Sequence, residues 1–176
     1  MVGNVRPHRL AVLVFEHPSL FEMAVPCEVW GIDRTAVGVP RSEVRVCTPD
    51  PSPLHTDVGY TVTAPHGLEA LRWADTVVVP AAPKPSGQRE APEAALAALH
   101  AAHRRGVRIA SLCSGAFTLA EAGLLDRRRA TTHWSALDRL AALGVDVDRE
   151  ARFVDTGEVV TAAGVSAGID MALHLV

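Results

Sequence analysis

The chain is nearly devoid of lysine. Of its 17 basic residues only Lys84 is one, and it lies in the run Ala82-Pro83-Lys84-Pro85-Ser86-Gly87, which reads as an exposed loop. Schiff-base chemistry, which needs a desolvated lysine, therefore has little to work with. A basic surplus is missing as well. With a formal net charge of −3 and a pI near 6.2 the chain sets up no general field for nucleic acid, and Arg127-Arg128-Arg129 reads as a solvated turn. The three cysteines, Cys27, Cys47 and Cys113, show neither disulfide nor zinc spacing, which implies a reducing, cytoplasmic compartment. The apolar run 10–15 is too short for a signal peptide or a membrane span. Phosphate-loop and dinucleotide fingerprints are absent, and His100 and His103 make at most half a metal site on a solvated helix face. No cofactor and no metal are expected. There is no internal repeat, low-complexity tract or long linker, so 176 residues with 48% apolar content imply one domain.

What is present is an alternation of β-rich and helix-like segments, the pattern of a mainly parallel sheet covered on both faces, a three-layer α/β/α sandwich. Strands are expected at 9–15, 43–48, 57–63, 75–80 and 107–112. Residues 91–105 form a punctuated helix, with Pro92 and Glu93 at its start, arginines in its last turn and Gly106 beyond it. Further on the sequence predicts a helix over 114–125, an extended piece at 130–132 and a helix over 134–143. A hairpin of 152–155 with 158–162 turning at Thr156-Gly157 follows, and a final helix starts from Gly164. That helix has no stop signal, which leads us to expect further chain beyond it.

Ser111-Leu112-Cys113-Ser114-Gly115 carries the chemistry. An apolar strand runs into Cys113 and a helix starts at once, which is the pattern of a nucleophile elbow. Gly115 permits close approach of backbone or ligand, and the amides of the helix start are expected to depress the Cys113 pKa and favour the thiolate. In an open α/β sheet the ligand lies beyond the carboxyl ends of the strands, so His17, Ala81, Ser114 and Gly115 are ligand-contact candidates. Glu22 opens a helix whose apolar positions Phe21, Val25, Val29 and Ile32 recur at three- and four-residue spacing; this puts it near the ligand end, where an acid could hydrogen-bond the thiol or merely complement the helix dipole. His133 could serve as base, acid or charge partner to the thiolate. Gly164 and Gly168 could cradle an anion, although close packing of the last helix on the sheet is the commoner use of such a pair.

The stretches Phe21-Glu22-Met23-Ala24-Val25-Pro26-Cys27-Glu28-Val29-Trp30-Gly31, Thr76-Val77-Val78-Val79-Pro80, Cys113-Ser114-Gly115-Ala116-Phe117 and Ala130-Thr131-Thr132-His133-Trp134 resemble the ThiJ/PfpI superfamily, the class I glutamine amidotransferase-like fold. More narrowly they are similar to the amino-terminal domain of AraC-type regulators. The resemblance implies a homodimer that senses a small molecule around Cys113 and Glu22, and reaches DNA only through a separate helix-turn-helix part that follows this domain. Isonitrile hydratases share a similar cysteine motif. That kinship implies the alternative, an enzyme in which Cys113 attacks the isonitrile carbon and Glu22 moves protons. Sensing by oxidation of Cys113 is a third expectation. Intracellular peptidases of the superfamily place histidine after the cysteine, where this chain has Ser114. Many members carry glycine after the fourth-strand proline; Ala81, standing there, restricts the conformations that could aim its amide at an oxyanion.

Overall fold

The computed structural model describes residues 6–56, 58–81 and 91–176. Its central sheet has six strands: β1 (His8–Leu13), β2 (Ser42–Cys47), β5 (Thr76–Val79), β6 (Arg108–Leu112), β9 (Phe153–Asp155) and β10 (Val159–Ala162). Their order is β2-β1-β5-β6-β10-β9, parallel throughout except where β9 runs antiparallel to β10. The inner strands are buried on both sides, which explains why they read as unbroken apolar runs rather than alternating ones. The pleat sends Ala11, Leu13, Val77, Val79 and Ile109 to one face and Leu10, Val12, Val78, Ala110 and Leu112 to the other.

Helices close both faces. On the first lie α2 (Glu69–Trp73), α3 (Glu93–Arg104), α4 (Gly115–Glu121) and α5 (Leu137–Ala141), through Leu71, Leu99, Phe117, Leu119 and Leu140. On the second lie α1 (Leu20–Gly31) and α6 (Ser166–Leu175), through Val25, Trp30, Met171 and Ala172. The three-layer α/β/α sandwich predicted from the sequence is the fold observed. The strands fall within about a residue or two of their expected bounds, and α3 and the β9–β10 hairpin stand where expected, with Gly157 at φ +88° in the turn.

Several expected elements come out differently. The strand at 57–63 shrinks to β4 (Thr61–Val62), paired with β3 (Leu54–His55) in a ribbon outside the main sheet. A turn consumes its first half: the Thr56 N–H donates to Tyr60 O, and Gly59 takes φ +86°. The helix expected over 114–125 ends as α4 at Glu121, ahead of Gly123 at φ +70°. The extended piece at 130–132 is β7 (Arg129–Ala130), paired with β8 (Asp146–Val147). The helix over 134–143 is one 3-10 turn, Trp134–Ala136, followed by the short α5. Helix α2 was not foreseen. The loop around Lys84 lies outside the described residues.

The face that α1 buries is also displaced from its expected position. Phe21 and Ile32, two of the four apolar positions that predicted the buried stripe, are 49% and 50% exposed, whereas Glu22, Val25, Pro26 and Trp30 face inward. Hydrophobic spacing is outweighed here by a carboxylate that turns in toward backbone donors.

Candidate functional site

Strand β6 stops at Leu112, and Cys113 takes φ +52° before α4 begins at Gly115. A non-glycine residue with positive φ is strained and persists only where its surroundings over-determine it. They do so here: the Cys113 N–H donates to Ala162 O at 2.9 Å, and Thr132 Oγ1 donates to Cys113 O at 2.7 Å. The elbow read from the sequence is thus present and pinned from two sides. Gly115 serves it through packing, because a Cβ there would overlap the Val79 carbonyl oxygen and lie 3.1 Å from that of Pro80. The close approach it permits is that of the backbone at the end of β5.

Glu22 completes the site from the other face of the sheet. Its carboxylate is 3% exposed; Oε2 accepts the Ala81 N–H at 3.0 Å and Oε1 accepts the Val165 N–H at 3.2 Å. Cys113 lies beside the same side chain: a Cβ placed on Gly164 would meet both Cys113 Cβ and Glu22 Oε1. Three chain segments, the ends of β5 and β6 and the entry to α6, therefore converge on one acid. Gly164, at φ +87°, fits into this junction because it has no side chain: a Cβ there would overlap that of Cys113 and sit 2.7 Å from Glu22 Oε1.

The electrostatics reverse one expectation. Burial pushes the Cys113 thiol up to about 12, the Glu22 charge and hydrogen bond push in the same direction, and only the Ser114 amide pulls it down. The depressed pKa expected from the helix start is not found. Helix α4 has seven residues, and the pull of its opening amides is outweighed by burial of the sulfur and by the neighbouring Glu22. Cys113 is therefore a thiol at rest.

Other predicted site residues separate. Ala81 is in place, but its amide is spent on Glu22, and its carbonyl accepts the Ser19 N–H at 3.0 Å. The Ser114 hydroxyl oxygen is buried with no protein partner, so Ser114 acts on the thiol through its amide. His17 stands after β1 at φ +58°, exposed, with its amide bonded to His55 O. His133 engages its own neighbours: its Nδ1 bonds Ser135 Oγ at 2.8 Å, and its ring lies beside Trp134 with centroids 5.4 Å apart. Thr132, one residue earlier, makes the contact with the elbow instead. Sequence reasoning missed Thr132 and Val165 and weighed Gly164 only for packing or an anion cradle. The available signal was a glycine at the switch from β10 to α6, matching Gly115 at the switch from β6 to α4.

His103 also differs from expectation, since it packs beside Arg128 (3.2 Å) and Glu158 (3.7 Å) rather than on a solvated face. Among the described residues no three His, Cys, Asp or Glu side chains converge as metal ligands, and no helix is long and apolar enough to cross a membrane.

Comparison with known proteins agrees with the fold. An uncharacterized protein from the cpoL 5′ region of Streptomyces lividans is 38% identical over 135 residues, 77% of this chain and 94% of that one. The HTH-type transcriptional regulator CdhR of Pseudomonas aeruginosa is 35% identical over 134 residues, 75% of this chain but only 39% of the regulator. Isonitrile hydratase of Pseudomonas putida is 45% identical over 67 residues, 38% of this chain and 29% of the enzyme. Among solved structures, a ThiJ/PfpI family protein from Pseudomonas syringae superposes with TM-score 0.78 at 26% identity, covering 97% of this chain and 68% of that one. An AraC family transcriptional regulator from Pseudomonas putida superposes with TM-score 0.78 at 21% identity, covering 96% and 90%, a likeness of fold. The profile of the DJ-1/PfpI family matches residues 8–176, and the chain belongs to that family.

Proposed function

We propose that this chain is the ligand-sensing domain of an AraC-type transcription regulator, with the pocket for a small molecule around Cys113 and Glu22. The observation that carries the reading is that Glu22 already occupies the Ala81 amide. Acyl chemistry needs a thiolate and free amides aimed at a developing oxyanion. Here burial, reinforced by Glu22, pushes the thiol up to about 12, and Glu22 binds the Ala81 amide. Such a site is organised to respond to an occupant rather than to turn it over. The regulator relative, which this domain covers for 39% of its length, supports the same reading. In the whole protein this domain would form a homodimer in the cytoplasm. Two helix-turn-helix motifs beyond it would carry the basic charge that this segment, at a net charge of −3, lacks. A ligand would act by favouring one arrangement of the subunits.

One observation favours a second reading: a thiol in contact with a carboxylate is also the minimum for hydrating an isonitrile, and the hydratase from Pseudomonas putida shares 45% identity over 67 residues. In that reaction the sulfur bonds to the isonitrile carbon, which takes a proton. Water then displaces the sulfur, and an N-substituted formamide leaves. The test is to incubate the protein with cyclohexyl isonitrile at pH 7.5 and follow formamide by proton NMR. Formation no faster than in buffer is expected, together with no measurable affinity of this domain for duplex DNA at physiological salt. Turnover that disappears in Cys113→Ala would establish the enzyme and overturn the sensor.

A further inference from the structure

We propose that Glu22 is a latch that ties the state of the Cys113 thiol to the first turn of α6. The inference stands apart from the regulator reading, since it holds for a sensing and for a hydrating thiol alike. Its starting point is Val165, which precedes α6 with φ +50° and ψ −125°. That region belongs to glycine, and a β-branched residue is strained in it. Its side chain is 55% exposed, so packing does not hold it there. The bond from its N–H to Glu22 Oε1 does, across 143 residues of sequence.

The first turn of α6 hangs from this strained pair of residues. Helix α6 has no side-chain cap; instead the Ala167 N–H donates to Gly164 O at 3.1 Å and the Gly168 N–H to Val165 O at 3.0 Å. Gly164 is wedged against Cys113 and Glu22 with no room for a Cβ. Farther along, Arg152 to Asp170 (3.0 Å) and Asp155 to His174 (2.8 Å) fasten the helix to β9 and its flank, and Met171 and Ala172 lie in the core. A group that draws Glu22 Oε1 away from Val165 therefore frees a segment that relaxes by itself, while the rest of the helix stays anchored. The Ala81 bond on Oε2 can persist throughout, so release is confined to 165–168.

Hydrogen exchange at Ala167 and Gly168 tests the latch, because neither amide touches Glu22. In Glu22→Gln both are expected to exchange at least tenfold faster, with β6 and α3 unchanged. In Val165→Gly, where glycine adopts the same backbone without strain, adding Glu22→Gln should change them less than threefold. Alkylating Cys113 to completion with iodoacetamide at raised pH forms an S–C bond and releases iodide and the thiol proton. This should speed the same two amides in the wild type and add nothing in Glu22→Gln. The latch is overturned by unchanged exchange at Ala167 and Gly168 in Glu22→Leu, which leaves the Val165 amide no acceptor, or in the alkylated protein. It is equally overturned by a rise spread over the whole chain, or by a tenfold rise that survives in Val165→Gly.

Discussion

Gly115→Ala is expected to lower folding stability by roughly 3 kcal/mol or more, near the upper end for a single methyl group. The added Cβ would overlap the carbonyl oxygen of Val79, and the obstacle is backbone. Strand β5 is hydrogen-bonded to β1 on one side and β6 on the other, so it cannot retreat without breaking the centre of the sheet. Gly168→Ala is the control. Its Cβ would approach the Leu112 side chain, nearest at Cδ2 (3.1 Å), an obstacle of side chain rather than backbone. Alanine also favours a helix interior by about 1 kcal/mol over glycine, so the net change should stay within about 1 kcal/mol of zero. Urea unfolding of both variants checks the contrast. Equal losses would mean that α4 does not rest on the end of β5 as described.

The second large effect is expected at Glu22. Replacing it with leucine leaves the amides of Ala81 and Val165 without an acceptor, at about 1–3 kcal/mol each. Removing a buried polar group offsets part of that loss, and the expected net is roughly 2–4 kcal/mol of destabilisation. Glu22→Gln keeps one oxygen acceptor and should lose no more than about half as much. Chemical denaturation reads both. If Glu22→Leu proves as stable as the wild type, the carboxylate does not tie the three segments together.

The sequence conveyed the sheet and the elbow because both depend on local pattern. Strands β1, β5 and β6 are buried on both faces and appear as apolar runs, and the run ending at Cys113 is followed directly by helix-forming residues. Helix α3 was legible from its own punctuation. The orientation of α1 was not, since its apolar spacing pointed to Phe21 and Ile32 while a buried carboxylate dictated the inward face. Nor was the acidity of Cys113 legible. The argument from the helix start used only neighbours in the chain, whereas the deciding cause is burial of the thiol, reinforced by Glu22 on α1. Val165 needed the same long-range knowledge: its strain makes sense only beside an acceptor 143 residues away. His133 was chosen for its chemistry, but the neighbouring Thr132 hydroxyl is what reaches the elbow.

The central claim is that burial, reinforced by Glu22, keeps Cys113 a protonated thiol at rest, and its rate of alkylation against pH tests that most directly. Iodoacetamide adducts would be mapped by mass spectrometry, so that Cys27 and Cys47, whose thiols burial also raises, are followed separately. Only the thiolate reacts, and its fraction grows about tenfold per pH unit below the pKa. An ordinary thiol levels off near pH 9. With its pKa pushed up to about 12, Cys113 should react slowly at pH 7 and keep accelerating past pH 10, and Glu22→Gln should move the whole curve to lower pH. A plateau reached below pH 8, unmoved by Glu22→Gln, would contradict the account.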